Sequence, residues 1–190
     1  GQLTPSACWK ELKLIGCWLG GSIGYQAEKL SAYFSEDIPR RDLGYLASEG
    51  SITIPYQDNT PSGILALHNN FYEFIPEGES VSSGTRFLRC HELEQGKRYK
   101  IIMTNHNGLY RYDIHDVIEV DGFYNRTPVV VFLRKSDDML NITGEKLHVN
   151  HFLNAFRRVK DKHSVSVTQF RAVPNYEMLR YEILLHVGIG

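Results

Sequence analysis

The chain has 190 residues, 42% of them hydrophobic, and 21 basic side chains balance 22 acidic ones for a net charge of −1. That is enough apolar material for one domain or two small ones with a buried core. Balanced charge without a basic run excludes the electrostatic footprint that nucleic acid or an anionic membrane would select, and no apolar run reaches membrane-spanning length.

In chain order, residues 12–18 form a short apolar run closed by Gly20-Gly21, after which Ile23, Ala27, Leu30 and Phe34 recur at helical spacing. With residues 38–43 returning as a strand, residues 12–43 read as one βαβ unit, its loops at the strand ends where open α/β sheets take ligands. Residues 45–50 are the second such loop. From Ser51 to Leu133 the period changes to two, with β-branched and aromatic runs at 52–54, 64–67, 71–75, 99–104, 109–112, 117–120 and 129–133. Asn107-Gly108 and Asp121-Gly122 predict hairpin turns, because both turn positions need positive φ. This stretch is an antiparallel β subdomain. Lys135-Ser136-Asp137-Asp138 reads as a connector. A strand at 139–142, a helix with Val149, Phe152, Leu153, Phe156 and Val159 on one face, and strands near 165–173 and 178–187 make a small α+β unit. The predicted class is α/β plus β-rich, with domains at 1–50, 51–134 and 135–190.

Cys8, Cys17 and Cys90 are odd in number and lack a Cys-x-x-Cys pair, so neither a disulfide framework nor a zinc ribbon is indicated and a reducing cytoplasm fits. No nucleophile arrangement can be built on them. His148 and His151 have no further ligands to complete a zinc set. Ser82-Ser83-Gly84-Thr85, followed by Arg86-Phe87-Leu88-Arg89, reads as a turn into a strand rather than a phosphate loop. The start at Gly1 without Met and the abrupt end at Gly188-Ile189-Gly190 suggest an excised piece.

Three segments carry candidate chemistry. Gly20-Gly21-Ser22-Ile23-Gly24 lets the backbone approach a ligand with helix N-terminal amides aimed at it, or is an ordinary strand-to-helix turn. It does not fit Gly-x-Gly-x-x-Gly, and no acidic residue is read at the end of the next strand, which argues against a dinucleotide site. Tyr45-Leu46-Ala47-Ser48-Glu49-Gly50 combines a stacking surface for adenine, a donor for phosphate oxygen and a hard ligand for Mg²⁺; alternatively Tyr45 is core and Glu49 is merely solvated. In Tyr110-Arg111-Tyr112-Asp113-Ile114-His115-Asp116, strand alternation puts Tyr110, Tyr112, Ile114 and Asp116 on one face and makes Arg111 and Asp113 a surface ion pair. A carboxylate at such a strand end can accept bonds from both ribose hydroxyls.

Taken in order with Arg134-Lys135-Ser136-Asp137-Asp138-Met139-Leu140, these segments resemble the later nucleotide-site motifs of the adenylate-forming superfamily, which activates carboxylic acids with ATP. The Tyr-Arg-Tyr run is most similar to the auxin-conjugating acyl acid-amido synthetases, the Gretchen Hagen auxin-responsive family, and the likeness covers about residues 5–187. It implies the end of a large domain (a βαβ unit and an antiparallel β subdomain) followed by the start of a mobile small domain. By the same resemblance, Gly20 and Gly21 border the adenine and acyl pocket. Tyr45 and Ser48 lie at the nucleotide, Glu49 holds Mg²⁺, and Asp116 binds the ribose. Arg134, or Lys135 in its place, contacts the nucleotide. Asp137 is the hinge. Lys146 lies near the acyl-adenylate or is a solvated loop lysine, and His115 stands where the family usually has Gly. The implied function joins a small carboxylic acid to an amine such as an amino acid through an acyl-adenylate, using ATP and Mg²⁺. Alternatives are an acyl-CoA ligase of the same superfamily or a non-catalytic nucleotide-binding module. The family's phosphate loop lies upstream and its catalytic lysine downstream, so the isolated chain is expected to be inactive.

Overall fold

The computed structural model describes residues 4–35, 37–79, 81–136, 139–140, 147–163, 167–175, 178 and 180–187. They fall into two units, Gly1–Ser136 and Asp137–Gly190, divided inside the charged connector.

In the first unit Thr4 caps a single helical turn, α1 (Pro5–Cys8). β1 (Ile15–Gly16) and β2 (Arg40–Arg41) pair in parallel, joined by α2 (Gly21–Ala27) and a 3₁₀ turn, Glu28–Ala32. The βαβ unit is present, with strands shorter than the apolar runs suggest. Leu14 and Trp18, at 42% and 44% exposure, lie outside the two-residue ladder. Ile23 is likewise 51% exposed while Ala27 is buried, so only part of the expected helix face packs inward.

β3 (Leu46–Ala47) and β4 (Gly50–Ser51) form a tight hairpin with Ser48-Glu49 at its tip. β5 (Thr53–Pro55), β6 (Gly63–Leu65), β7 (Asn70–Pro76), β8 (Arg98–Asn105), β9 (Tyr112–Tyr124) and β10 (Thr127–Lys135) build an antiparallel sheet in the order β5-β6-β10-β9-β8-β7. Its core gathers Ile52, Leu65, Tyr72, Phe74, Ile101, Met103, Ile118 and Val130. Each large side chain buried this completely contributes about 1.5–3 kcal/mol by transfer from water.

Two irregularities in β9 correct the expected alternation. Gly122 faces Val129 and Val120 faces Val130, so Asp121 is an extra residue and Asp121-Gly122 makes a bulge instead of a turn. Ser62 donates to Asp121 Oδ2 at 2.6 Å and holds that carboxylate within the sheet. The reversal comes at Asn125-Arg126, with Asn125 at φ 55. On the other edge Lys100 faces Val117 and Ile102 faces Asp113, so residues 114–116 crowd opposite Ile101 alone. His115 takes φ 57 there, the left-handed conformation a glycine adopts freely, and its N–H donates to Asp113 Oδ1 at 2.7 Å. The predicted common face is therefore split. Tyr110 and Tyr112 are 79% and 42% exposed, whereas Ile114 and Asp116 are buried. Arg111 does not pair with Asp113 but makes two 2.9 Å bonds to the buried Glu73.

In the second unit β11 (Met139–Leu140) pairs with β12 (Leu147–His148), α3 (Val149–His163) follows, and β13 (Val167–Asn175) pairs antiparallel with β14 (Arg180–Val187). Phe152 and Leu153 are buried on α3, and Phe156 packs on Phe170 with ring centroids 4.4 Å apart. Val159, at 47% exposure, lies outside that packing. Among the described residues no helix is long and apolar enough to cross a membrane.

Candidate functional site

Past β1 and β2 the chain makes two turns side by side. In the first, Gly20 precedes α2 and Gly21 takes φ 58, where a Cβ would stand 3.2 Å from the Phe132 ring. In the second, Gly44 takes φ 87, and a Cβ would lie 2.9 Å from the Thr53 carbonyl oxygen. A side chain would be strained at both positions, and at Gly44 it would also collide with backbone. Asp42, buried between the turns, accepts from Gly44 N at 2.7 Å and from Leu19 N at 2.6 Å. Trp18 Nε1 donates to Gly44 O at 3.1 Å, and Tyr45 N donates to Thr53 Oγ1 at 2.9 Å.

Tyr45 leaves this turn with its ring tilted against Phe132, centroids 5.1 Å apart, and its hydroxyl donates to Asp116 Oδ2. Burial first, and the Asp116 carboxylate second, push the phenol far above its usual range. It is a fixed donor at physiological pH. Asp116 is only 2% exposed, and the bulge at 114–116 brings it opposite Lys135 on β10. Lys135 Nζ lies 2.6 Å from Asp116 Oδ1 and donates to Ile114 O at 3.0 Å. Oδ1 is thus charge-paired yet receives no directed hydrogen bond.

At the tip of the β3–β4 hairpin Asn105 Nδ2 donates to Glu49 O at 3.1 Å, while Asn105 Oδ1 accepts from Asn107 N and Leu109 N at 3.0 and 3.3 Å. One side chain therefore ties this tip to the Asn107-Gly108 turn. The half-buried Glu49 carboxylate has no hydrogen-bond or ion-pair partner among the described residues.

A cleft of about 520 Å³ opens over these groups, lined by Gly20, Gly21, Tyr45, Ser48, Glu49 and Asp116 together with Trp18, Asp42, Phe132 and Lys135. Of the residues expected at a nucleotide site, Arg134 is the one the structure leaves out. It is 7% exposed and bonds the Glu77 carboxylate and Lys135 O. Consecutive strand residues point to opposite faces, so only one of Arg134 and Lys135 can face the cleft, and Lys135 does. Asp137 and Lys146 lie outside the described residues. Sequence reasoning missed Asp42, Trp18 and Phe132, and it assigned no acidic residue to the end of the second strand, where Asp42 follows β2. The Asp42-Leu43-Gly44 spacing, an Asx-turn signal, was the available clue.

These turns sit on a short βαβ unit with a bulged antiparallel sheet beside them. A solved acyl acid amido synthetase, GH3.15, superposes with a TM-score of 0.83 at 21% identity, over 96% of this chain and 34% of that one. Residues 63–135 match the GH3 family central domain. The chain is 25% identical to the probable indole-3-acetic acid-amido synthetase GH3.9 of Oryza sativa subsp. japonica, over 96% of this chain and 44% of that protein. It is 32% identical to the jasmonoyl–L-amino acid synthetase JAR6 of Nicotiana attenuata, over 66% of this chain and 23% of that protein. This chain is thus similar to the GH3 family central domain over residues 63–135, and it spans less than half the length of these relatives.

Proposed function

We propose that this chain is the nucleotide-site portion of an ATP-dependent acid–amine ligase, which activates a small carboxylic acid as its acyl-adenylate and passes the acyl group to an amine such as an amino acid. The observation that carries the reading is the cleft itself. It gathers a side-chain-free glycine turn, an aromatic ring, an unpaired carboxylate and a buried carboxylate from segments far apart in sequence. The family match and the names of the relatives support the same chemistry.

In this reading the adenine lies between the glycine turn and Tyr45. Asp116 accepts the ribose hydroxyls, with Tyr45 and Lys135 holding its carboxylate in place. Lys135 takes the cationic role otherwise open to Arg134. Glu49, without a hydrogen-bond or ion-pair partner among the described residues, fits Mg²⁺, which takes one or two carboxylates plus phosphate oxygens and would neutralise phosphate charge. In the first half-reaction a substrate carboxylate oxygen attacks the α-phosphorus and pyrophosphate leaves. In the second the amine nitrogen attacks the acyl carbon, AMP leaves, and the amine loses a proton. Positioning is the chain's main contribution to both. Three free cysteines support a reducing cytoplasm as the setting.

The test is ATP–pyrophosphate exchange by the full-length protein across a panel of carboxylic acids, followed by product analysis with amino acids or coenzyme A. Acid-dependent exchange and an amide product are expected. A thioester product selects the acyl-CoA ligase, and ATP binding without exchange selects a nucleotide module. On this reading the phosphate loop is contributed by another part of the protein, and the isolated chain should exchange nothing.

A further inference from the structure

Asp42 has no part in the roles above, yet its buried carboxylate accepts two backbone amides from two different loops. Leu19 N, at 2.6 Å, belongs to the segment that leads into Gly20-Gly21, and Gly44 N, at 2.7 Å, belongs to the turn that delivers Tyr45. Charge-assisted bonds of this kind are short and strong. Apart from them the loops are spaced by the β1–β2 ladder, only two residues long on each side, and by the bond from Cys17 N to Arg41 O at 3.1 Å. Trp18 Nε1 supplies one further tie, to Gly44 O at 3.1 Å. On the opposite side Phe132 is a wedge: its ring would stand 3.2 Å from a Gly21 Cβ and packs on Tyr45 at 5.1 Å. The gap between glycine turn and Tyr45 is therefore pulled shut by Asp42 and propped open by Phe132.

We propose that Asp42 is a positioning residue that sets the spacing between the Gly20-Gly21 turn and the Tyr45 ring, and thereby the nucleotide affinity of the cleft, without touching the ligand. The proposal rests on the nucleotide-site reading. The carboxylate is required because both of its neighbours are donors. An amide in its place offers one oxygen and one NH₂, so one backbone N–H would face another donor.

The full-length protein and its Asp42→Asn, Tyr45→Ala and doubly substituted variants test this by calorimetric titration with ATP, alongside thermal unfolding. Asp42→Asn should weaken ATP binding by about tenfold to a hundredfold, the scale of one lost bond to a charged acceptor. In the Tyr45→Ala background the same substitution should cost less than about threefold, because the ring it positions is gone. In pyrophosphate exchange the Asp42→Asn defect should appear in the KM for ATP and be overcome at saturating ATP. An unchanged ATP affinity with a lowered unfolding midpoint overturns the proposal, leaving Asp42 a scaffold residue. So does a penalty that persists undiminished without the Tyr45 ring. Failure of the unsubstituted protein to bind ATP overturns the nucleotide reading, and this inference with it.

Discussion

Replacing Asp116 by Asn keeps the shape of a side chain that is 2% exposed but removes its charge and puts an NH₂ where an oxygen stood. One carboxylate oxygen accepts from Tyr45 and the other lies 2.6 Å from Lys135 Nζ, so an amide NH₂ turned toward Lys135 meets another donor, and one turned toward Tyr45 requires the phenol to switch from donor to acceptor. A hydrogen bond to a charged group is worth about 1.5–3 kcal/mol. If the carboxylate binds the ribose, losing it should raise the KM for ATP by about tenfold to 150-fold, at 1.4 kcal/mol per decade. The Lys135 pair adds less, since that side chain is 53% exposed and solvent screens it. Initial rates of pyrophosphate exchange in the full-length protein, measured against ATP concentration at saturating acid, read this directly. Tyr45→Phe is the companion variant: it deletes the phenol bond but leaves both carboxylate oxygens to the nucleotide, so its KM should move less. An Asp116→Asn variant whose KM for ATP stays within about twofold of the unsubstituted protein would refute the reasoning. So would a Tyr45→Phe defect as large as that of Asp116→Asn.

Glu49→Ala should instead depress turnover and raise the Mg²⁺ concentration needed for exchange; a magnesium titration identical to that of the unsubstituted protein would remove Glu49 from the metal site. Gly44→Ala forces a left-handed Cβ, costing about 1–2 kcal/mol, and drives it to 2.9 Å from the Thr53 carbonyl, so urea unfolding should show a loss of at least that size. His115→Gly should gain up to about 1.5 kcal/mol in the same assay, because relief of φ 57, about 1–2 kcal/mol, is offset by about 0.4–1 kcal/mol of added freedom in the unfolded chain. A loss would show that the imidazole contributes more than its strained backbone costs. Asp137→Pro, at the division between the two units, should leave part of the exchange activity while amide formation collapses. Equal loss of both half-reactions counts against a hinge there.

Short-range rules were enough for most of the architecture. The Gly20-Gly21 turn, the period-two runs from Ser51 onward other than 109–112, where the chain becomes strand only at Tyr112 and Arg111 takes φ 46, the Asn107-Gly108 reversal and the apolar face of α3 are set by residues within one or two turns of each other, so spacing alone exposes them. The same local signals brought Tyr45, Ser48, Glu49 and Asp116 into view as candidates. What spacing cannot carry is the identity of the residue across the sheet. Asp121-Gly122 has the composition of a turn and becomes a bulge because Val129 and Val130 fix the register opposite it and Ser62 satisfies its carboxylate. Asp116 reaches the cleft because three residues of β9 crowd opposite the single Ile101, which no alternation rule anticipates. The choice of Lys135 over Arg134 follows from which face of β10 meets the cleft. Asp42 acquires its second amide from a loop more than twenty residues earlier in the chain. Those assignments are pairings between distant segments, and they exist only once the chain has closed on itself.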